Sequence, residues 1–279
     1  MNGPTRIAVL QMTSGIDPEA NYDTIRDAAD EAAREGATML FTPEMSLLLD
    51  RDRKRGAANI PPEGDNLFAT MLGKLATERG LTICLGSMAV ARSDGKLANR
   101  AMVFSPAGGA PVTYDKIHMF DVDLASGESW RESNAYAPGV AVVAVDDTPL
   151  GRLGLAICYD IRFPALFEAL GQARCDAIAI PAAFTVPTGR AHWHLLQRAR
   201  AVEASAWVIA AAQCGCHADG RETYGHSLVV DPWGEVVLDL GGEGAALGFA
   251  TIDPARTAEV RAQLPNLYNK RAIPTSMSS

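Results

Sequence analysis

Twice along this chain, short apolar runs alternate with segments whose apolar residues recur at helical spacing, and a series of strand-like runs separates the two stretches. That pattern restricts the fold more than any other feature, because it asks for helices packed on sheets that are not purely parallel. The first stretch opens with a strand at 6–12 and a helix in which Asp17 suits the N-cap and Pro18 the first turn. Ile25, Ala28, Ala29, Ala32 and Ala33 form the buried stripe of that helix, and Gly36 is expected to cap its C-terminal end. A strand at 38–42, a helix at 66–79 stopped by Gly80 and a strand at 81–88 follow. Strands then cluster at 98–115, with Gly108-Gly109 as a turn, and at 140–145 and 152–157.

The second stretch has a helix from Pro164, a strand at 177–180, a helix at 191–205 and a strand at 207–213. Residues 226–231, 235–240 and 247–252 read as antiparallel strands around the Pro232-Trp233-Gly234 turn, before a last helix at 254–264. Two sheets packed together, with helices on both outer faces, accommodate this order. No repeat or low-complexity linker divides the chain, so one domain over 1–279, with 265–279 as a C-terminal tail, is expected.

Composition limits the function. Hydrophobic residues make up 48 % and charged residues 21 % of the chain, enough apolar material for a large core. The formal net charge of −8 argues against nucleic acid, which needs a broad basic face. No apolar stretch reaches the roughly 18 residues of a membrane span and no cleavable leader is evident, so a cytoplasmic protein without a membrane partner is expected. Five cysteines, at 84, 158, 175, 214 and 216, lack the spacing of a disulfide framework and fit a reducing compartment. Cys214-Gly215-Cys216-His217 resembles half of a metal loop, but the second ligand pair is missing and no metal is expected.

Three segments set a reactive side chain at the end of an apolar strand: Glu44 after Met39-Leu40-Phe41-Thr42-Pro43, Lys116 between Tyr114 and Ile117-His118-Met119-Phe120, and Cys158 after Gly154-Leu155-Ala156-Ile157. The last, turning sharply toward a helix, resembles the general design of a nucleophile elbow. Taken singly, these are also what a satisfied buried carboxylate, a strand-end lysine and an inert packed thiol look like.

Taken together they resemble the nitrilase superfamily, whose Glu, Lys and Cys motifs occur in this order at similar intervals. The likeness continues through Pro181-Ala182-Ala183-Phe184, Ala191-His192-Trp193, Arg198-Ala199-Arg200-Ala201, Ala211-Ala212-Gln213-Cys214-Gly215, Tyr224-Gly225-His226-Ser227 and Asp231-Pro232-Trp233-Gly234, and spans about residues 6–271. The downstream segments are most similar to the Nit branch, which contains deaminated-glutathione amidases and ω-amidases acting on 2-oxoglutaramate.

The resemblance implies a four-layer α-β-β-α sandwich, usually dimeric through its outer helices. It implies a small-molecule amide substrate bearing a carboxylate, most of all deaminated glutathione, with 2-oxoglutaramate, a nitrile or an N-carbamoyl compound as alternatives; a redox-responsive or scaffold protein is the non-enzyme alternative. Cys158 would be the nucleophile, Glu44 the base that later protonates departing ammonia, and Lys116 with the backbone N–H of Tyr159 the oxyanion donors. The resemblance adds a glutamate before a Pro-Gly pair, here Glu132, with Glu128 as the alternative. No cofactor has a task in this scheme. Arg162, four residues after the nucleophile, is the candidate for the substrate carboxylate, unless it pairs with Asp160 or Glu168. Phe184, Thr185 and His192 are expected in the pocket, while His118 and His226 are equally well structural. The basic run Arg51, Arg53, Lys54 and Arg55 would either serve a distant carboxylate or be a solvated rim, and Trp130 would be a lid or surface cover.

Overall fold

The computed structural model of the chain describes residues 3–123, 127 and 129–274. In chain order the elements are β1 (Thr5–Gln11), α1 (Pro18–Arg34), β2 (Met39–Phe41), α2 (Arg53–Ala57), α3 (Leu67–Arg79), β3 (Thr82–Ala91), β4 (Leu97–Phe104), β5 (Val112–Asp115), β6 (Asp121–Asp123) and β7 (Ser129–Arg131). They continue as β8 (Ala144–Thr148), β9 (Gly151–Leu155), α4 (Pro164–Gln172), β10 (Ala177–Ala179), α5 (Val186–Ala204), β11 (Trp207–Ala210), β12 (Cys214–Cys216), β13 (Glu222–Tyr224), β14 (Leu228–Val230), β15 (Val236–Asp239), β16 (Ala246–Ile252), α6 (Pro254–Gln263) and α7 (Asn266–Asn269).

Two six-stranded sheets carry the molecule, in the orders β16-β1-β2-β3-β4-β5 and β15-β14-β11-β10-β9-β8. Each has three parallel strands at its centre, β1, β2 and β3 or β11, β10 and β9, flanked by antiparallel neighbours. The period-2 alternation of strands decides which side chains each layer receives. Ile7, Val9, Met39, Phe41 and Cys84 share one core with the second sheet and with Leu166, Phe167, Leu170 and Trp193 of α4 and α5. Their sequence neighbours Ala8, Leu10, Leu40, Ile83 and Leu85 face the other way, onto Ile25, Ala28, Ala29 and Ala32 of α1 and Leu72, Leu75 and Ala76 of α3. The result is the expected α-β-β-α sandwich.

The helix starts follow their caps. Asp17 accepts from the N–H groups of Glu19 and Ala20, and Asn66 from that of Ala69. The cap of α1 is Glu35, and Gly36, at φ +75°, is the residue just beyond it. Four expectations need correction, the first being the strand expected at 140–145, which forms instead at Ala144–Thr148 and leaves Val140 exposed. The strand expected at 247–252 does not continue the 226–240 hairpin; β16 crosses to the other sheet and pairs antiparallel with β1 along Thr5 to Gln11. The helix expected at 191–205 begins five residues earlier, at Val186, because Pro187 lies in its first turn. The segment expected as a tail is anchored at its start, where Asn266 of α7 meets Ser205 Oγ at 2.7 Å and the carbonyls of Val202 and Glu203 and Lys270 pairs with Glu168, while residues 271–274 are exposed. Among the described residues no helix is long and apolar enough to cross a membrane.

Candidate active site

The chain enters the site from the carboxyl ends of β2, β9 and β10, where open parallel sheets ordinarily place their ligands. Pro43, which has no N–H for a ladder, ends β2 and turns Glu44 out of the sheet. Gly86 makes that turn possible. A Cβ there would lie 2.0 Å from the Thr42 carbonyl oxygen and 2.5 Å from Pro181, so only glycine lets the two strand ends come this close. Lys116 leaves β5 in the same way, backed by Gly139, whose N–H donates to the Lys116 carbonyl at 2.8 Å and whose absent Cβ would meet the Asp115 carbonyl.

Cys158 sits where β9 gives way to a 3-10 turn, with its own N–H bonded to the Pro181 carbonyl at 2.8 Å. Its φ is +48°, a strained value for a residue with a Cβ. Asp160, fully buried, holds that turn. One carboxylate oxygen accepts from the Ile157 N–H at 2.9 Å and the Tyr114 hydroxyl at 2.7 Å, and the other from the His118 N–H, with His118 Nδ1 2.7 Å away. Asp160 thereby ties the segment around Lys116 to the turn bearing Cys158. His118 is engaged in this knot and stacked on Phe163.

The side chains converge. Lys116 Nζ donates to Glu44 at 3.0 Å and to Glu132 at 2.9 and 3.2 Å. Glu44 also accepts from Asn99 Nδ2 and from the Ala183 N–H, each at 2.9 Å. Glu132 accepts from the Phe120 N–H at 2.7 Å and from Asn99 at 3.2 Å. Glu44 is only 5 % and Lys116 2 % exposed, so these charges have left water and are compensated almost wholly by one another. Glu128 lies outside the described residues.

Electrostatics set the resting ionisation. Burial pushes Glu44 up, but the Lys116 ammonium, the Cys158 thiol and the Asn99 amide together hold it below the ordinary 4.5. Burial acts downward on Lys116 and is outweighed by Glu132 and Glu44, which lift it well above 10.5. Burial, then the Glu44 carboxylate, push the Cys158 thiol well above 9.0, and Lys116 opposes them only in part. At neutral pH the group is therefore an ionised carboxylate, an ammonium and a neutral thiol, instead of the thiolate that Lys116 alone would favour. Such a set can move the thiol proton to Glu44 as sulfur attacks. The N–H of Tyr159 has no acceptor among the described residues.

These groups open into a cavity of about 190 Å³, lined also by Arg162, Phe184, Thr185 and Trp130. Arg162 has no carboxylate partner among the described residues, and its guanidinium lies over the Tyr159 and Phe184 rings at 5.8 and 5.5 Å. Neither expected rival is free, since Asp160 is spent on the turn and Glu168 pairs with Lys270. His192 does not line the cavity. It is exposed on α5 and reaches the site only through its Nδ1, 3.3 Å from Arg162. Trp130 is a cavity wall, with the Arg221 guanidinium 5.1 Å from its ring centre. Cys214, Cys216 and His217 do not gather, because the His217 ring is bonded to the Ser14 carbonyl and Thr223 Oγ1.

Sequence reasoning missed Asn99, Asp160 and the Ala183 N–H. A fully buried Asn in β4, a strand whose only other polar residue is the partly buried Arg100, was the one available signal, as a polar group there must have partners.

Comparison with known proteins places these observations in context. The carbon-nitrogen hydrolase family model matches residues 6–262. A Bos taurus protein named deaminated glutathione amidase is 41 % identical over 269 residues, 95 % of this chain and 81 % of that one. Among solved structures, the C. elegans NitFhit protein superposes with a TM-score of 0.88 at 33 % identity, covering 97 % of this chain and 66 % of that one. An amidase from Nesterenkonia sp. AN1, in which acrylamide has added to the active-site cysteine, superposes with a TM-score of 0.77 at 25 % identity over 95 % of this chain and 99 % of its own.

Proposed function

The chain belongs to the carbon-nitrogen hydrolase family, and from that premise we propose that it is a Cys158-dependent amidase acting on deaminated glutathione. As sulfur attacks the amide carbon, the Cys158 proton passes to Glu44 and an S–C bond forms. The negative charge on the former carbonyl oxygen is met by Lys116 Nζ and the Tyr159 N–H. Collapse of this intermediate breaks the C–N bond, the leaving nitrogen takes the proton from Glu44, and a thioester remains. Glu44 then takes a proton from water, whose oxygen attacks the thioester; the C–S bond breaks and the proton returns to sulfur. Glu132, bonded to Lys116 through both oxygens, is a positioning residue.

In deaminated glutathione the cleaved amide nitrogen belongs to a cysteinylglycine unit, so the leaving group is that dipeptide's amine. The ammonia expected from the sequence applies to 2-oxoglutaramate. The observation that carries the chemistry is the buried convergence of Glu44, Lys116 and Glu132 on the cavity that Cys158 lines, with Lys116 Nζ 3.0 Å from Glu44 and 2.9 Å from Glu132. Arg162, its guanidinium unpaired in the cavity wall, supports a substrate with a carboxylate near the scissile bond. Phe184 and Thr185 line the same wall.

The reading includes a cytoplasmic homodimer formed through outer helices, without cofactor. Exposed Leu195 and Val202 on α5, with Trp233 in the turn that meets Val202, support that face as the contact. The test measures cysteinylglycine from deaminated glutathione and ammonia from 2-oxoglutaramate, an N-carbamoyl compound and a nitrile, using wild type and Cys158→Ala. Preference for deaminated glutathione, lost in the variant, is expected. Turnover of the nitrile alone, or of the carbamoyl compound alone, would replace the substrate class.

A further inference from the structure

The rim of the cavity carries a second set of guanidinium groups that the reaction scheme does not use. Arg51 and Arg53 both line the cavity, on the segment that leaves Glu44 and leads into α2. Neither guanidinium meets a carboxylate among the described residues; that of Arg53 spends one N–H on the Arg131 carbonyl at 2.8 Å. The acidic groups around them are committed elsewhere. Asp50, its side chain buried, takes two bonds from Arg55 and one from the Asp52 N–H. Asp52 caps α2 through the N–H groups of Lys54 and Arg55. Asp219, also buried, takes the Arg51 N–H at 2.8 Å and pairs with Arg221. The segment is thus pinned by its acids while, among the described residues, Arg55 alone of its cations is paired, and of the three others Arg51 and Arg53 face the cavity. Glu222, on the same rim, is the opposing charge and has no ion-pair partner among the described residues.

Arg162 belongs to a different part of the wall. It lies on the 3-10 turn after β9, beside Tyr159, Phe184 and His192, whereas Arg51 and Arg53 are carried by the segment that leads into α2. A site with two separate unpaired guanidinium sets matches a substrate with a carboxylate at each end, since a fork of N–H donors holds a carboxylate through two bonds.

We infer that Arg51 and Arg53 form a second carboxylate subsite, which holds the carboxylate carried by the leaving group and so selects amides with an anionic amine portion over simple ammonia-releasing amides. This rests on the amidase reading above and deepens it. Deaminated glutathione has such a carboxylate on its glycine; 2-oxoglutaramate has none in its leaving group.

The experiment compares wild type with the Arg51→Ala, Arg53→Ala and double variants on three substrates: deaminated glutathione, the same compound with its glycine carboxyl converted to an amide, and 2-oxoglutaramate. For the double variant the ratio of kcat/KM for deaminated glutathione to that for 2-oxoglutaramate is expected to fall tenfold or more, mainly through KM. The amidated compound is expected to show that loss already with wild type and little further loss with the variant. Equal loss on both unmodified substrates, or an unchanged ratio, would overturn the subsite. Calorimetric binding of deaminated glutathione to Cys158→Ala, with and without the two arginine changes, separates the two claims. If wild type turns nothing over but binding still depends on Arg51 and Arg53, the subsite stands and the amidase reading falls; binding that ignores them removes the subsite.

Discussion

Lys116 shows how much one buried residue carries, since its ammonium is the counter-charge for both Glu44 and Glu132. Lys116→Met would leave two carboxylates facing each other in a dry site. We expect kcat to fall by about 10²–10³ for the lost oxyanion donor, and stability by about 3–5 kcal/mol for the uncompensated charge. Steady-state kinetics beside chemical denaturation would check both. The pH profile follows from the same group. Glu44 titrates below 4.5 and the thiol well above 9.0, so kcat/KM for an uncharged amide should be flat between those values. A bell centred near pH 7 would contradict the assigned ionisation. For stability, the depressed Glu44 contributes above its ordinary value and is lost as pH falls through its folded one. The raised Lys116 contributes below 10.5 and is lost only as pH rises through its folded value. Neither limits stability between those ends.

At the scale of elements, the site depends on strand ends approaching more closely than side chains ordinarily allow. Gly86→Ala puts a methyl group against the Thr42 and Pro43 carbonyls, so β3 must shift away from the turn that holds Glu44. We expect a loss of at least ~1–3 kcal/mol from overpacking and a fall in kcat larger than the change in KM, read by thermal melting and kinetics. Asn99→Ala tests the strand on the other side. It removes the donor shared by Glu44 and Glu132 without adding bulk, and the expected result is a raised acid limb in the pH–rate profile. An unmoved acid limb would mean that Asn99 only packs. The strands and helices of both halves were legible because their periodicities report which face is buried. The short pairs β6–β7 and β12–β13 were not, since strands of three residues among turns have no pattern long enough to read.

For the whole molecule, the proposed dimer offers a separate test. Val202→Glu on the exposed face of α5 should shift sedimentation from dimer to monomer, and a monomeric wild type would discard the proposal. The pairing of β16 with β1 joins the chain's last strand to its first, so the first sheet is complete only when both ends are in place. Removing residues from β16 onward is therefore expected to prevent folding, visible as loss of the cooperative melting transition.

From sequence alone, the order of Glu44, Lys116 and Cys158 at the ends of apolar strands, and the family resemblance that added Glu132, determined the chemistry to look for. Alternating periodicities likewise determined the sandwich, because both depend on local spacing. Only the tertiary structure decided that Arg162 escapes Asp160 and Glu168, that His192 stays outside, that β16 changes sheets, and that Asp160 and Asn99 hold the charged cluster together. Those outcomes depend on which distant groups compete for the same buried partner, and no run of neighbouring residues records that competition.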